Sequence, residues 1–130
     1  EVNVDEGFIT GVTGGAEANM LRDTIERAEK NSYRYEEEGL LEKGSSGVYA
    51  RNAGNIGELG IGLNPRADII GNMLIDEKAF RTCHFAVGSN YDRDAPALIH
   101  LDGLVKEPTV IAVGPDSVEK TILENGELVC

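Results

Sequence analysis

Only one stretch of this chain has the apolar spacing of a long helix, which limits the folds the chain can adopt. Leu21, Ile25 and Ala28 recur at helical intervals between Ala16 and Lys30, whereas most later apolar residues occur in short runs typical of strands. Parallel strands need a crossover connection, usually helical, and one long helix cannot supply several. The sequence therefore predicts an α+β fold with a mixed, largely antiparallel sheet, one long helix and a short second helix.

Turn residues separate the predicted strands. Asp5-Glu6-Gly7 and Asn125-Gly126 each lie between two strand-like segments, which predicts two hairpins. A short helix is predicted to begin at Asp76, and residues 44–47 are predicted to form a surface loop. The predicted strands are residues 2–4, 8–12, 56–61, 84–87, 98–102 and 109–113, with the arms of a hairpin in 122–129.

Length and charge narrow the possible classes of protein. A chain of 130 residues, 41% of them apolar, is long enough for one core, so we predict a single domain over residues 1–130. The net charge is −11, and no two basic residues are adjacent. We therefore expect neither nucleic acid nor a membrane as a partner. The chain begins at Glu1 with strand-like residues, so we expect it to be part of a longer protein.

The two cysteines, Cys83 and Cys130, are too few for a disulfide framework. This cysteine content fits a cytoplasmic protein. Cys83 adjoins His84 on a predicted strand and should point the opposite way, into the core. We expect Cys83 to be an inert packing residue.

Carboxylate and imidazole groups on three predicted strands form a candidate metal site. Residues two apart on a strand share a face, so His100 and Asp102 should project together. His84 lies 16 residues earlier in another apolar strand, and Glu58 lies near two glycines in a third. Burial of these polar groups would be costly unless they met a shared cation. Tyr91 follows His84 in a loop, from which its phenol could reach a metal or donate a proton.

Each of these residues also suits an ordinary role. A His-x-Asp pair is often a structural hydrogen-bonded pair, Glu58 could lie on the solvated face of an edge strand, and Tyr91 could simply pack. As ligands, imidazole and carboxylate are shared by Zn²⁺, Co²⁺, Mn²⁺ and Fe²⁺, and such an ion lowers the pKa of a bound water. Hydrolysis is therefore the first chemistry to consider.

Four blocks of the sequence, in this order, resemble the aminopeptidase T and aminopeptidase S family of metallopeptidases, also called leucyl aminopeptidases. The blocks are residues 56–65 (IGELGIGLNP), 71–78 (GNMLIDEK), 82–90 (TCHFAVGSN) and 100–103 (HLDG). The chain looks like the C-terminal metal-binding domain of such an enzyme. The resemblance implies a cytoplasmic, homodimeric exopeptidase that removes N-terminal residues from peptides, with a pair of divalent ions, zinc or cobalt.

The resemblance also implies roles for five residues. Glu58 would be a carboxylate ligand, His84 an imidazole ligand, Tyr91 a phenol near the metals, and His100 and Asp102 the remaining ligands. Glu58 and Tyr91 are also the candidate catalytic residues, for proton transfer and for the oxyanion. The family has a further Glu before this region, and no residue of this chain replaces it. We therefore expect the chain by itself to bind metal weakly and to have little peptidase activity.

Two other functions stay open. The stretch between His84 and His100 is shorter than in the peptidases, and it resembles the related dihydroxypyridine ring-cleaving dioxygenases, which hold one Fe²⁺. Two histidines and one carboxylate could form the open facial triad of such oxygenases. The third possibility is a non-catalytic dimerisation module. The identity and number of bound metal ions would distinguish the three.

Overall fold

The computed structural model describes residues 1–129 and has an α+β fold with three antiparallel sheets. The strand orders are β1-β2, β3-β4-β5 and β6-β7-β8. The predicted fold class is thus confirmed, with the strands distributed over three small sheets. In chain order the elements are β1 (Val2–Asp5), β2 (Phe8–Val12), α1 (Ala16–Glu37), α2 (Ser46–Asn52), β3 (Ile56–Gly62), α3 (Met73–Asp76), β4 (Thr82–Gly88), β5 (His100–Lys106), β6 (Val110–Val113), β7 (Glu119–Glu124) and β8 (Glu127–Leu128).

The chain divides into two compact units. The first comprises residues 1–58 and 86–101, and the second comprises residues 59–85 and the chain from Asp102 onward. The boundaries between the units fall within β3, β4 and β5. The single domain over residues 1–130 stays a prediction.

The first unit begins with the predicted hairpin. Asp5 pairs with Phe8, and the two residues between them, Glu6 and Gly7, have φ angles of 47° and 83°. Positive φ at both central positions is the signature of the type I′ turn, whose twist matches that of the strands. Local turn chemistry therefore determines this hairpin.

Helix α1 is longer than its apolar periodicity predicts and ends at Glu37 rather than near Lys30. An ion pair between Lys30 and Glu26 lies on its exposed side, and the Ser32 hydroxyl donates to the Ala28 carbonyl at 2.8 Å on its buried side. Ion pairs four residues apart, such as Glu26 with Lys30 and Arg34 with Glu38 at 3.6 Å, support the helix beyond its apolar periodicity. The acidic segment after Lys30 is therefore helical.

The loop predicted for residues 44–47 is wrong in its second half, because α2 begins at Ser46. The Ser46 amide donates to the Glu36 carboxylate at 2.7 Å. This acceptor lies ten residues away on α1. A carboxylate that binds the first amide of a helix satisfies a donor that the helix itself leaves unpaired.

In the second unit, the predicted helix start at Asp76 is also wrong. Helix α3 begins after Asn72, whose side chain accepts from the Leu74 amide at 3.2 Å, and Asp76 is its last residue. The Asp76 carboxylate is buried and accepts the Ile70 and Gly71 amides at 2.8 and 3.0 Å. Asp76 therefore closes the loop that precedes the helix.

Two further predictions are confirmed, namely the C-terminal hairpin and the burial of Cys83, whereas the strand predicted for 98–102 begins at His100 and runs to Lys106. The Asn125-Gly126 hairpin forms with φ angles of 49° and 82°. Cys83 is only 1% exposed, and burial raises the pKa of its thiol. Cys130 lies outside the described residues. Across residues 1–129, none of the helices has the length and apolar character needed to span a membrane.

Candidate metal site

The five predicted ligands are divided between the two units. Glu58, Tyr91 and His100 belong to the first, and His84 and Asp102 belong to the second. Each unit contains one imidazole that lies close to a carboxylate. The two pairs are described separately.

In the first unit, Glu58 on β3 and His100 at the start of β5 lie side by side. Nε2 of His100 is 3.9 Å from Oε2 of Glu58, and each side chain is 38% exposed. This separation is too long for a hydrogen bond. Two ligand atoms that share a tetrahedral zinc ion at 2.0–2.1 Å are roughly 3.4 Å apart. The observed spacing is about 0.5 Å longer, so a small closing movement of either side chain would bring both atoms onto one cation.

A backbone carbonyl fixes the orientation of the His100 ring. Nδ1 of His100 lies 2.7 Å from the carbonyl oxygen of Ser89. A carbonyl only accepts, so Nδ1 must donate, and in the neutral ring Nε2 then carries the lone pair. Histidines that bind metals commonly donate their second N–H to a carbonyl in this way. A lone pair thus lies 3.9 Å from a carboxylate oxygen, an arrangement that a cation between them would stabilise.

Gly57 allows this arrangement because it has no side chain. A Cβ at residue 57 would lie 2.7 Å from the Ser89 oxygen and 2.8 Å from the Gly88 oxygen. A Cβ atom does not come this close to backbone oxygens in folded proteins, so a side chain at residue 57 would force the backbone to shift. The glycine before Glu58 thus permits a close approach of the backbone of residues 88 and 89.

Glu58 and His100 line a pocket of about 850 Å³ in the first unit. Tyr91 lines the same pocket and is 89% exposed, so its phenol is accessible to a ligand. Three of the five predicted residues therefore lie at one pocket. The remaining lining residues are Glu42, Ser45, Val48, Tyr49, Ser89, Asn90, Arg93, Pro96 and Ala97.

In the second unit, His84 on β4 lies beside Glu77, a residue for which we predicted no role. Nε2 of His84 is 3.9 Å from Oε2 of Glu77. His84 is 3% exposed, and the Glu77 side chain is 13% exposed. The other Glu77 oxygen accepts from Lys78 at 2.6 Å. The only sequence signal for Glu77 was its place in the block 71–78.

Asp102 is half-buried on β5, two residues after His100. Within residues 1–129, no cluster of three or more His, Cys, Asp or Glu side chains has the arrangement needed to hold a metal ion. Each His–Glu pair supplies one imidazole nitrogen and one carboxylate oxygen. Both are ligand types that divalent transition-metal ions bind. The five-residue ligand set stays a prediction.

Comparison of the chain with models of protein families, with curated proteins and with solved structures found no match. The resemblance to the aminopeptidase T and S family therefore stays a prediction that depends on the four sequence blocks.

Proposed function

We propose that this chain is the metal-binding part of an aminopeptidase that removes N-terminal residues from peptides with the help of divalent ions, zinc or cobalt. The observation that carries the proposal is the geometry of Glu58 and His100. The ring is held through Nδ1 by a carbonyl, and Nε2 lies 3.9 Å from a carboxylate oxygen at an accessible pocket. This combination supports a cation site.

The side chains have distinct roles in this proposal. Glu58 and His100 hold one ion, and His84 and Glu77 supply donors for another. When bound, such an ion polarises the scissile carbonyl and lowers the pKa of water. Glu58 is the carboxylate that accepts a proton from the attacking water, and the Tyr91 hydroxyl donates a hydrogen bond to the developing oxyanion. The Ser89 carbonyl keeps the His100 ring in one orientation.

Charge in the pocket supports a peptide as the substrate. Glu42 and Glu58 both line it, in a chain of net charge −11. The free ammonium at the start of a peptide is attracted to such an acidic environment, whereas an internal peptide bond carries no charge. The pocket therefore favours binding of the amino terminus of a peptide over binding of an internal segment.

The proposal includes a cytoplasmic homodimer. Segment 59–85 carries three basic and three acidic residues, in contrast to the net charge of the whole chain. The same segment exposes Leu63, Ile70 and Leu74 by 59%, 65% and 77%. Hydrogen bonds between Asn64 and Phe80, and between Ile70 and Asp76, fold it back on itself. A neutral apolar surface lets two copies meet without the repulsion expected elsewhere.

Metal titration tests the central proposal. We expect the chain to bind Zn²⁺ or Co²⁺ weakly, and Glu58→Gln and His100→Gln each to lower the affinity at least about tenfold. Glu37→Gln, which removes an exposed charge from α1 outside the pocket, should leave the affinity unchanged. Circular dichroism would show that each variant is folded.

Elemental analysis of the purified chain separates the competing functions. Zinc or cobalt with release of N-terminal residues supports the peptidase. A single Fe²⁺ with O₂ uptake on a dihydroxylated pyridine supports the oxygenase and overturns the proposal. A chain that binds neither zinc, cobalt nor iron overturns the proposal and supports the third possibility, a non-catalytic dimerisation module.

A further inference from the structure

The pocket that contains Glu58 and His100 also contains a cationic side chain, Arg93. Arg93 is exposed, and across residues 1–129 its guanidinium forms no ion pair with a carboxylate. Its charge is thus available to a ligand in the pocket. The proposed mechanism gives this residue no role.

The loop that carries Arg93 is held in an uncommon conformation. Arg93 has a φ angle of 63°, in the left-handed region that residues other than glycine seldom adopt. Asn90 fixes the turn, since its amide nitrogen donates to the Asp94 carboxylate and its oxygen accepts from the Ala95 amide at 3.1 Å. Surface loops positioned by hydrogen bonds of this kind are where binding residues are concentrated. The loop therefore holds Arg93 at the pocket.

The charges that line the pocket match a ligand with two charged ends. Glu42 and Glu58 suit an ammonium group, and Arg93 suits a carboxylate. An extended tripeptide spans about 10 Å at roughly 3.3–3.6 Å per residue. The pocket volume of about 850 Å³ lies in the range of pockets that enclose small ligands, ~300–1,000 Å³. Both ends of a short peptide therefore fit within it.

We propose that Arg93 binds the C-terminal carboxylate of the substrate, so that this pocket selects di- and tripeptides with a free carboxyl terminus. The planar guanidinium can donate two parallel hydrogen bonds to a carboxylate, which an amide or a continuing chain cannot accept in the same way. The inference rests on the proposed function, which puts the amino end of the peptide at Glu58 and His100.

Binding without metal tests this inference independently of catalysis. In EDTA, titration of the full chain with Leu-Gly and with its C-terminal amide, followed by NMR, should show at least about tenfold tighter binding of the free acid. Arg93→Asn, a residue that tolerates left-handed backbone, should bind the acid only as weakly as the amide. Arg66→Gln removes an exposed positive charge from the second unit and should keep the preference. Equal binding of acid and amide by the wild-type chain overturns the inference.

Kinetics of the metal-loaded chain give a second readout. Arg93→Asn should raise KM for Leu-Gly about tenfold with little change in kcat, and should leave the amide unaffected. Arg93→Lys should restore part of the affinity, because the charge returns without the paired donors. An equal loss for both substrates overturns the inference. A preference for the free acid in a chain that never binds metal would uphold the carboxylate site and refute the peptidase.

Discussion

The backbone of Gly60 lies so close to the His84 ring that a Cβ at this position would be 2.0 Å from Cε1. The ring is 3% exposed and has little space into which it can move. Gly60 therefore determines where the imidazole of the second unit lies.

Substitution of Gly60 by alanine should lower the free energy of unfolding by about 1–3 kcal/mol, because the added methyl displaces a buried ring. Urea unfolding measures the loss. Gly54→Ala is the matched control, since a Cβ there meets nothing within 4 Å, and it should change the stability much less. Equal stabilities of the two variants would show that the ring moves at no cost.

Replacement of Asp76 by alanine should cost about 2–3 kcal/mol, since its carboxylate accepts two amides and is 5% exposed. The Ile70 and Gly71 amides would lose their acceptor. Asp68→Ala removes an exposed carboxylate from the same segment and should be nearly neutral. Denaturant midpoints compare the two. A neutral Asp76→Ala variant would mean that water replaces the carboxylate.

Acid should weaken the contact between α1 and α2. Hydrogen bonds from the Ser46 side chain and from the Gly44 and Ser46 amides lower the pKa of Glu36 from 4.5 to about 2. A lowered pKa in the folded state means that the stabilisation is present above about pH 4.5 and is lost as pH falls toward 2. The wild-type chain should therefore exceed Glu36→Gln in stability above pH 5, and this difference should shrink toward pH 2.

Chemical denaturation between pH 2 and pH 7 measures this difference. Glu37→Gln changes the same charge at the next, exposed residue of α1 and should show a smaller pH-dependent difference. A Glu36→Gln difference that is constant across the pH range would contradict the assignment.

Glu77→Gln should lower the affinity for Co²⁺ at His84, because the carboxylate oxygen 3.9 Å from Nε2 is lost. Lys78→Gln is the control, since it removes the ion pair with Glu77 and keeps the carboxylate. Absorption spectra of Co²⁺ titrations would distinguish the variants. Equal affinities in the two variants would remove Glu77 from the ligand set.

Leu74→Glu should dissociate the proposed homodimer, because it places a charge on the apolar surface of segment 59–85, where Leu74 is 77% exposed. Val118→Glu changes an exposed apolar residue elsewhere in the second unit and should leave the dimer intact. Light scattering after size exclusion gives the mass of each variant. A wild-type chain that is monomeric at high concentration would contradict the dimer.

The sequence was sufficient to predict those elements whose backbone conformation is determined by residues close together in the chain. Both hairpins follow from turn residues that accept positive φ at Gly7 and Gly126. The start of α2 was missed because its amide acceptor, Glu36, lies ten residues away on another helix. The position of Asp76 was wrong because its partners are the preceding loop amides rather than those of a following helix.

Some residues of the candidate site were likewise predictable from the sequence, and others were not. Strand alternation selected His100 together with Asp102, and the cost of a carboxylate in an apolar strand selected Glu58. The side chains of Glu58 and His100 lie together. No role was predicted for Glu77, because its position beside His84 depends on how segment 64–80 folds back, with Asn64 bound to the backbone of Lys78 and Phe80. The local pattern of residue types does not show how a segment of this length folds back on itself.

One main-chain oxygen, that of Ser89, faces Gly57 on one strand and accepts the His100 N–H on another. The proton position on this imidazole is consequently set by main-chain geometry, without a dedicated acidic side chain. Substitution of other residues that line the pocket would change the ligand that the pocket binds. Nδ1 of His100 would keep its proton in each such variant. A single methyl group at residue 57, however, would displace the Ser89 carbonyl and so disturb the histidine on β5.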